Sequence, residues 1–184
     1  MKALLVLDMQ NGILEMKDFS EERNKIKNII KRFKDAKDLV VLTKHIDKDP
    51  NSPLAENTEK SDIDKEFAQY ADLTITKNTP SAFFGTKLDS ILKEKNIDHL
   101  YITGFNTEYC CLFTAITAFE RGYKVTFIED ATGTVNDDDT YEMKGLDIND
   151  FVGCILDWSG IIEVLYYEEF EEQYAASIWE GYCI

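Results

Sequence analysis

Three side chains able to do chemistry together are spread along the chain: a carboxylate at Asp8, an ammonium at Lys77 and a thiol at Cys110. A thiol attacks carbon as its thiolate, and an unperturbed cysteine is mostly protonated at neutral pH. The N-terminus of a helix favours the anion through its free N–H groups and dipole. A neighbouring ammonium favours it further. A carboxylate within reach can take the thiol proton and deliver it to a leaving amine. Backbone N–H groups in the 104–110 turn can hold a developing oxyanion. Each residue also has an ordinary reading: packing for a cysteine at a helix start, a cap for an aspartate at a strand end, a solvated charge for a lysine. Spacing alone does not choose between them.

The three meet only if strands and helices alternate along the chain. Apolar runs at 3–7, 39–43, 73–76, 99–103, 124–128 and 161–165 read as six strands. Most are continuous instead of alternating, the pattern of strands covered on both faces in a parallel sheet. Ile26, Ile29, Ile30 and Phe33 share one face of a helix that Ser20 is placed to cap. Leu88, Ile91 and Leu92 mark another, with Thr86 as cap and Asp89 as capping-box partner. A further helix runs over 110–121 and stops at Gly122, and part of 138–158 reads as helix interrupted by Gly145 and Gly153. Residues 44–66 form a long polar loop, a kind of segment that is often functional. The result is an α/β fold, three layers α/β/α around a mostly parallel, Rossmann-like six-stranded sheet. Ligands bind such sheets at the carboxyl ends of the strands. Asp8 ends the first strand, Lys77 follows the third and Cys110 opens the helix after the fourth, so one edge collects all three.

The 184 residues suit a single domain, 1–184, and 44% of them are hydrophobic, enough for a core without a disulfide or metal staple. A net charge of −15 argues against nucleic acid and anionic membranes as partners and fits a well-solvated protein with a small-molecule substrate. The run after Met1 is too short for a signal peptide or a bilayer span, which predicts a cytoplasmic protein with reduced thiols. Cys110, Cys111, Cys154 and Cys183 form no CxxC pair, so neither a zinc site nor a thioredoxin-type motif is indicated. Cys111, Cys154 and Cys183 are read as structural. The acidic segment 168–184 carries Phe170, Tyr174, Trp179 and Tyr182. Exposed aromatics seek burial, so this tail is expected to dock on a second copy of the chain.

Three ordered motifs carry a resemblance. Leu5-Val6-Leu7-Asp8-Met9-Gln10 resembles a hydrophobic strand followed by D-x-Q. Lys77 followed by Ser81-Ala82-Phe83, Thr86 and Leu88 resembles K-x-x-x-S-A-F-x-x-T-x-L. Gly104 to Cys110 is similar to G-x-x-T-x-x-C, and Asp130-Ala131 matches a D-A pair after the fifth strand. Together they resemble the isochorismatase-like cysteine hydrolases, among them nicotinamidases and N-carbamoylsarcosine amidases, over residues 2–135.

That resemblance implies a catalytic set of Asp8, Lys77 and Cys110, a cis peptide between Phe105 and Asn106, and an oxyanion hole from the N–H groups of Asn106 and Cys110. It implies hydrolysis of an amide or ureido C–N bond through a thioester, with no cofactor, in a homo-oligomer (dimer or tetramer). Gln10 and His45 are expected to touch substrate, and Phe83 and Phe84 either to wall the pocket or to pack in the core. The chain departs from nicotinamidases at their D-x-H metal motif: His45 matches the histidine, but Thr43 stands in the carboxylate position. The only other histidine is His99, at a strand start. No metal is expected, which favours other amides over nicotinamide. Two alternatives stay open, a nicotinamidase with an altered metal site and a non-catalytic binding or assembly protein on the same scaffold.

Overall fold

A computed structural model describes residues 1–180, with side chains through Tyr174. The elements in chain order are β1 (Lys2–Leu7), α1 (Asn11–Leu14), α2 (Ser20–Ala36), β2 (Leu39–His45), a 3₁₀ turn (Glu59–Ser61), α3 (Lys65–Ala68), β3 (Leu73–Lys77) and α4 (Leu88–Glu94). They continue with β4 (His99–Phe105), a π-helical turn (Thr107–Cys111), α5 (Leu112–Glu120), β5 (Lys124–Gly133), α6 (Ile148–Trp158), β6 (Glu163–Leu165) and α7 (Tyr167–Glu180).

The strand order is β3-β2-β1-β4-β5-β6 and every pairing is parallel, so the sheet is wholly and not just mostly parallel. Alternate residues of β1 feed two cores. Ala3, Leu5 and Leu7 face the layer with Leu88, Leu92, Ala115, Ala118 and Val152. Leu4 and Val6 face the layer with Ile26, Ile29, Ile30 and Phe33. This double burial is why the apolar runs are continuous. The chain order reverses across β1 and β4, whose carboxyl ends flank the crevice where such sheets bind ligands. Gly104 is required here: its φ is +114, and a Cβ would lie 2.1 Å from the Leu7 carbonyl oxygen.

Several expectations are corrected. Ser20 is the first residue of α2 and not its cap, and Asp18 accepts from the Ser20 N–H at 3.0 Å instead. Thr86 precedes the N-cap Lys87, yet its hydroxyl accepts from the Leu88 N–H at 3.2 Å. Gly145, with φ +82, lies before α6, whereas Gly153 sits inside it because a Cβ would meet the Glu129 carboxylate at 1.8 Å. Loop 44–66 is tied down by β2 running on to His45, by the 3₁₀ turn and by bridges Gln10–Ile63 and Asp47–Ala55. Cys111 is buried, but Cys154 is exposed on α6.

The largest correction concerns the C-terminal segment. Phe170 and Tyr174 do not await a second copy, because they are buried in the chain's own core against Phe33 and Tyr101. Asp130 of the D-A pair receives the Tyr167 N–H at 2.7 Å and Lys25 Nζ at 2.9 Å, which ties α7 and α2 to β5. The side chain of Trp179, and Tyr182 and Cys183, lie outside the described residues. Among the described residues no helix is long and apolar enough to cross a membrane.

Candidate active site

Parallel register builds the site. In the β1–β2 pair Val6 stands opposite Leu42, so Asp8 and Thr43 emerge together at the carboxyl end. In the β2–β3 pair His45 stands opposite Lys77. The β1–β4 pair sets Leu7 beside Gly104, and β4 then leads into the turn that carries Cys110.

Lys77 Nζ is the centre of the cluster. It donates to Asp8 Oδ2 at 2.7 Å and to Cys110 Sγ at 3.1 Å, and lies 3.1 Å from His45 Nδ1 and 3.2 Å from the Thr79 carbonyl. The side chains of Lys77 and Asp8 are 0% and 1% exposed, so the pair is fully desolvated. Asp8 is held on its other oxygen by the Thr43 hydroxyl at 2.5 Å, and its own N–H donates back to Thr43 Oγ1 at 3.1 Å. Asp8 has φ 51, the left-handed conformation that aspartate tolerates better than most residues.

The electrostatics correct one expectation. Burial, reinforced by the Asp8 charge, pushes the Cys110 thiol up to about 12, and the Lys77 ammonium offsets only part of this. Burial thus works against the thiolate at rest. The physical reason is charge balance: Asp8 already neutralises Lys77, and a second anion would leave the buried cluster negative. Burial also opposes the Lys77 ammonium, but Asp8 and Cys110 outweigh it and hold its pKa above the ordinary value. Burial and then Lys77 hold His45 below its ordinary value, so it is neutral at pH 7. An ammonium only donates, so Nδ1 is the acceptor and the ring proton sits on Nε2. Nε2 has no hydrogen bond within the described residues.

The turn beneath Cys110 is anchored on two sides. The Thr107 hydroxyl bonds Asn149 Oδ1 at 2.6 Å and Thr132 Oγ1 at 2.9 Å. Asn106 Oδ1 accepts from the Val135 N–H at 3.3 Å, and the Asn106 carbonyl accepts from Tyr109 and Cys111. The Phe105–Asn106 peptide bond is cis. Single π turns occur frequently at functional sites.

Other predicted contacts fall elsewhere. Gln10 is fully buried, and its amide donates to the His45 and Ser61 carbonyls at 2.8 and 2.6 Å while accepting from the His45 N–H at 2.8 Å. With its polar atoms spent on the loop, it positions His45 instead of meeting substrate. Phe83 is a core ring stacked on Tyr123 at 5.9 Å, under the Arg121 guanidinium. Phe84 is 69% exposed and does not pack in the core. Motif reading named Thr43 only as a departure from a metal motif and missed its bond to Asp8, and it missed Thr79; strand register and a backbone carbonyl reveal these roles.

The Isochorismatase domain model matches residues 2–157. The chain belongs to the isochorismatase family. It is 31% identical over 150 residues to nicotinamidase 3 of Arabidopsis thaliana, covering 74% of this chain and 75% of that one. It is 36% identical over 95 residues to the ureidoacrylate amidohydrolase RutB of Yersinia enterocolitica, covering 52% of this chain and 41% of that one. A cysteine hydrolase from Pseudomonas syringae pv. phaseolicola shares the fold with a TM-score of 0.82 at 21% identity, covering 95% of this chain and 92% of that one. The protein is thus an isochorismatase-family hydrolase with amidohydrolase relatives.

The metal of the family's nicotinamidases does not fit these residues. Thr43 stands where the carboxylate ligand belongs and is committed to Asp8. The donor trio found among the described residues, Asp8, His45 and Cys110, lies within 4.8 Å but surrounds the Lys77 ammonium, where a cation would be repelled.

Proposed function

We propose that this family member hydrolyses a C–N bond, amide or ureido, of a small molecule, with Cys110 as nucleophile. The observation that carries this reading is the buried Lys77 ammonium within hydrogen-bond distance of both Asp8 and Cys110. As Sγ bonds to the substrate carbonyl carbon, its proton passes to Asp8. The negative charge moves from Asp8 to sulfur and on to the carbonyl oxygen, and Lys77 faces one anion throughout. The N–H groups of Asn106 and Cys110 receive that oxygen. Asp8 then returns the proton to the departing nitrogen, the C–N bond breaks, and a thioester remains. Water attacks the thioester carbonyl with Asp8 again taking a proton, and the thiol leaves reprotonated.

His45 supports the substrate end of this reading. Its Nε2–H is a fixed, neutral donor suited to a substrate carbonyl or carboxylate oxygen. The test is an ammonia-release screen over small amides, ureido acids and nicotinamide, with Cys110→Ala as the blank. A hit should also yield an acyl adduct on Cys110 by mass spectrometry. Release that survives in Cys110→Ala, or no release from any compound, overturns the proposal.

A further inference from the structure

α5 is packed inside out. The residues it turns to the sheet are small: Thr114, Ala115 and Ala118 are buried. Its large apolar side chains point away from the core, with Phe113 49%, Ile116 41% and Phe119 38% exposed. From Tyr109 to Phe119 no residue carries a charge. A surface helix keeps polar residues on its outer face, whereas a helix apolar all round belongs in an interior. α6 extends the pattern. Phe151, Ile155 and Trp158, spaced i, i+4 and i+7, form an exposed apolar stripe, while Val152 and Leu156 on its other face lie in the core.

A cavity of about 240 Å³ joins the two sets, with Tyr109 and Leu112 on one side and Phe151 and Ile155 on the other. An aromatic side chain of this kind buries about 150–250 Å² when fully covered, so these half-exposed residues together present on the order of 700 Å². A typical monomer carries no apolar patch above about 300–600 Å². One partner in a stable pair contributes about 800 Å².

We propose that the outer faces of α5 and α6 form the contact between two copies of this chain, related by a two-fold axis. Two features select a second copy. The face holds both a ridge, Phe113 and Ile116, and the groove beside it, so a two-fold axis seats each ridge in the other groove. The chain carries 35 acidic and 20 basic side chains, so two copies repel over most of their surfaces, and the uncharged outer face of α5 is where they approach without like charges meeting. The same net charge of −15 repels an anionic bilayer. α5 follows the π turn directly, so the pairing braces the segment that carries Cys110 in each copy. It needs nothing from the reaction proposed above.

The test is sedimentation equilibrium of the full chain at micromolar concentration, which should give twice the chain mass of 21.2 kDa. Ile116→Glu on α5 and Ile155→Glu on α6 each place a carboxylate in the contact, and glutamate suits a helix. Each should return the mass to that of one chain. Asn24→Glu adds the same charge at an exposed position of α2, across the sheet, and should leave the mass doubled. Circular dichroism checks that each variant is folded, and the two substitutions lie on separate helices, so either one suffices. A single-chain mass for the unmodified protein overturns the proposal and leaves the face to another partner. So does a doubled mass that survives both Ile116→Glu and Ile155→Glu, or one that Asn24→Glu abolishes equally.

Discussion

Thr43 and Asp8 clasp each other. The threonine hydroxyl donates to one Asp8 oxygen at 2.5 Å, and the Asp8 N–H donates back to the same hydroxyl at 3.1 Å. Lys77 takes the other Asp8 oxygen at 2.7 Å, so the carboxylate is fixed in rotation, with an oxygen within 4.8 Å of the Cys110 sulfur. Thr43 thus positions the carboxylate proposed above as the proton carrier.

Replacing Thr43 with Val keeps its shape and removes both bonds. The buried Asp8 amide and the Asp8 Oδ1 atom then each lose a partner, while Lys77 keeps Oδ2, at a cost of about 1–3 kcal/mol. Turnover should fall while KM moves little, and Thr43→Ser should restore it. Urea unfolding and steady-state kinetics on the substrate from the release screen check this. Equal turnover of the Val and Ser variants would rule out the positioning role.

Asp8→Asn and Lys77→Met should move the thiol in opposite directions. Asp8 raises the Cys110 pKa, so its removal lets sulfur become the counter-ion of Lys77, and iodoacetamide labelling should accelerate at neutral pH. Loss of Lys77 removes the one offsetting charge, and labelling should slow. Turnover falls in both, for Asp8→Asn by about 10²–10⁴, the usual worth of a general acid–base group. Peptide mass spectrometry resolves Cys110 from the exposed Cys154. Slower labelling in both variants would contradict the charge-balance account.

Breaking the buried ion pair from one side should cost more than removing both charges. Lys77→Met strands Asp8 and is expected to destabilise by about 3–5 kcal/mol. Adding Asp8→Asn should recover part of that loss. A double variant as unstable as the sum of the singles would show that the two groups do not interact.

Stability should fall on acidification below the ordinary histidine range. His99 is held at about 4, by burial first and then by Lys124, and His45 is lowered too. Both groups bind protons more readily in the unfolded chain, so unfolding takes up protons as pH drops from the ordinary histidine value of 6.5 towards about 4. Stability from their neutral forms is intact above this window and lost across it. His99 Nε2 bonds Thr126 Oγ1 at 2.8 Å, and His99→Gln keeps a donor there while removing the titration. Urea midpoints across this range should decline less steeply in that variant; an unchanged slope would count against His99 as a source.

Phe170 is 1% exposed within the core, so Phe170→Ala should cost about 3–5 kcal/mol. Deleting 168–184 should accordingly lower the unfolding midpoint strongly. A truncated chain as stable as the full one would return the segment to the role of a free tail.

The strands were legible because burial on both faces leaves continuous apolar runs, and Asp8, Lys77 and Cys110 because strand ends in a parallel sheet share one edge. Thr43 was not legible as a partner of Asp8, since that requires the β1–β2 register, which no local pattern encodes. Gln10 was misread because its partners, at 45 and 61, lie far along the chain. The burial that opposes a Cys110 thiolate was not legible for a similar reason: helix dipole and lysine are visible in sequence, whereas the depth of burial is not. Phe170 and Tyr174 were visible as aromatics, but their acidic neighbours concealed that the two, four residues apart on one helical face, pack into the chain's own core.

The place of β1 between β2 and β4 has a consequence for chain synthesis. As residues leave the ribosome, Asp8 emerges first, yet one edge of β1 stays bare until residues 99–105 arrive to pair with it. Cys110 follows only a few residues later. No shorter nascent chain holds the complete trio, so the cluster of Asp8, Lys77 and Cys110 comes into being only when the two halves of the sheet close on each other.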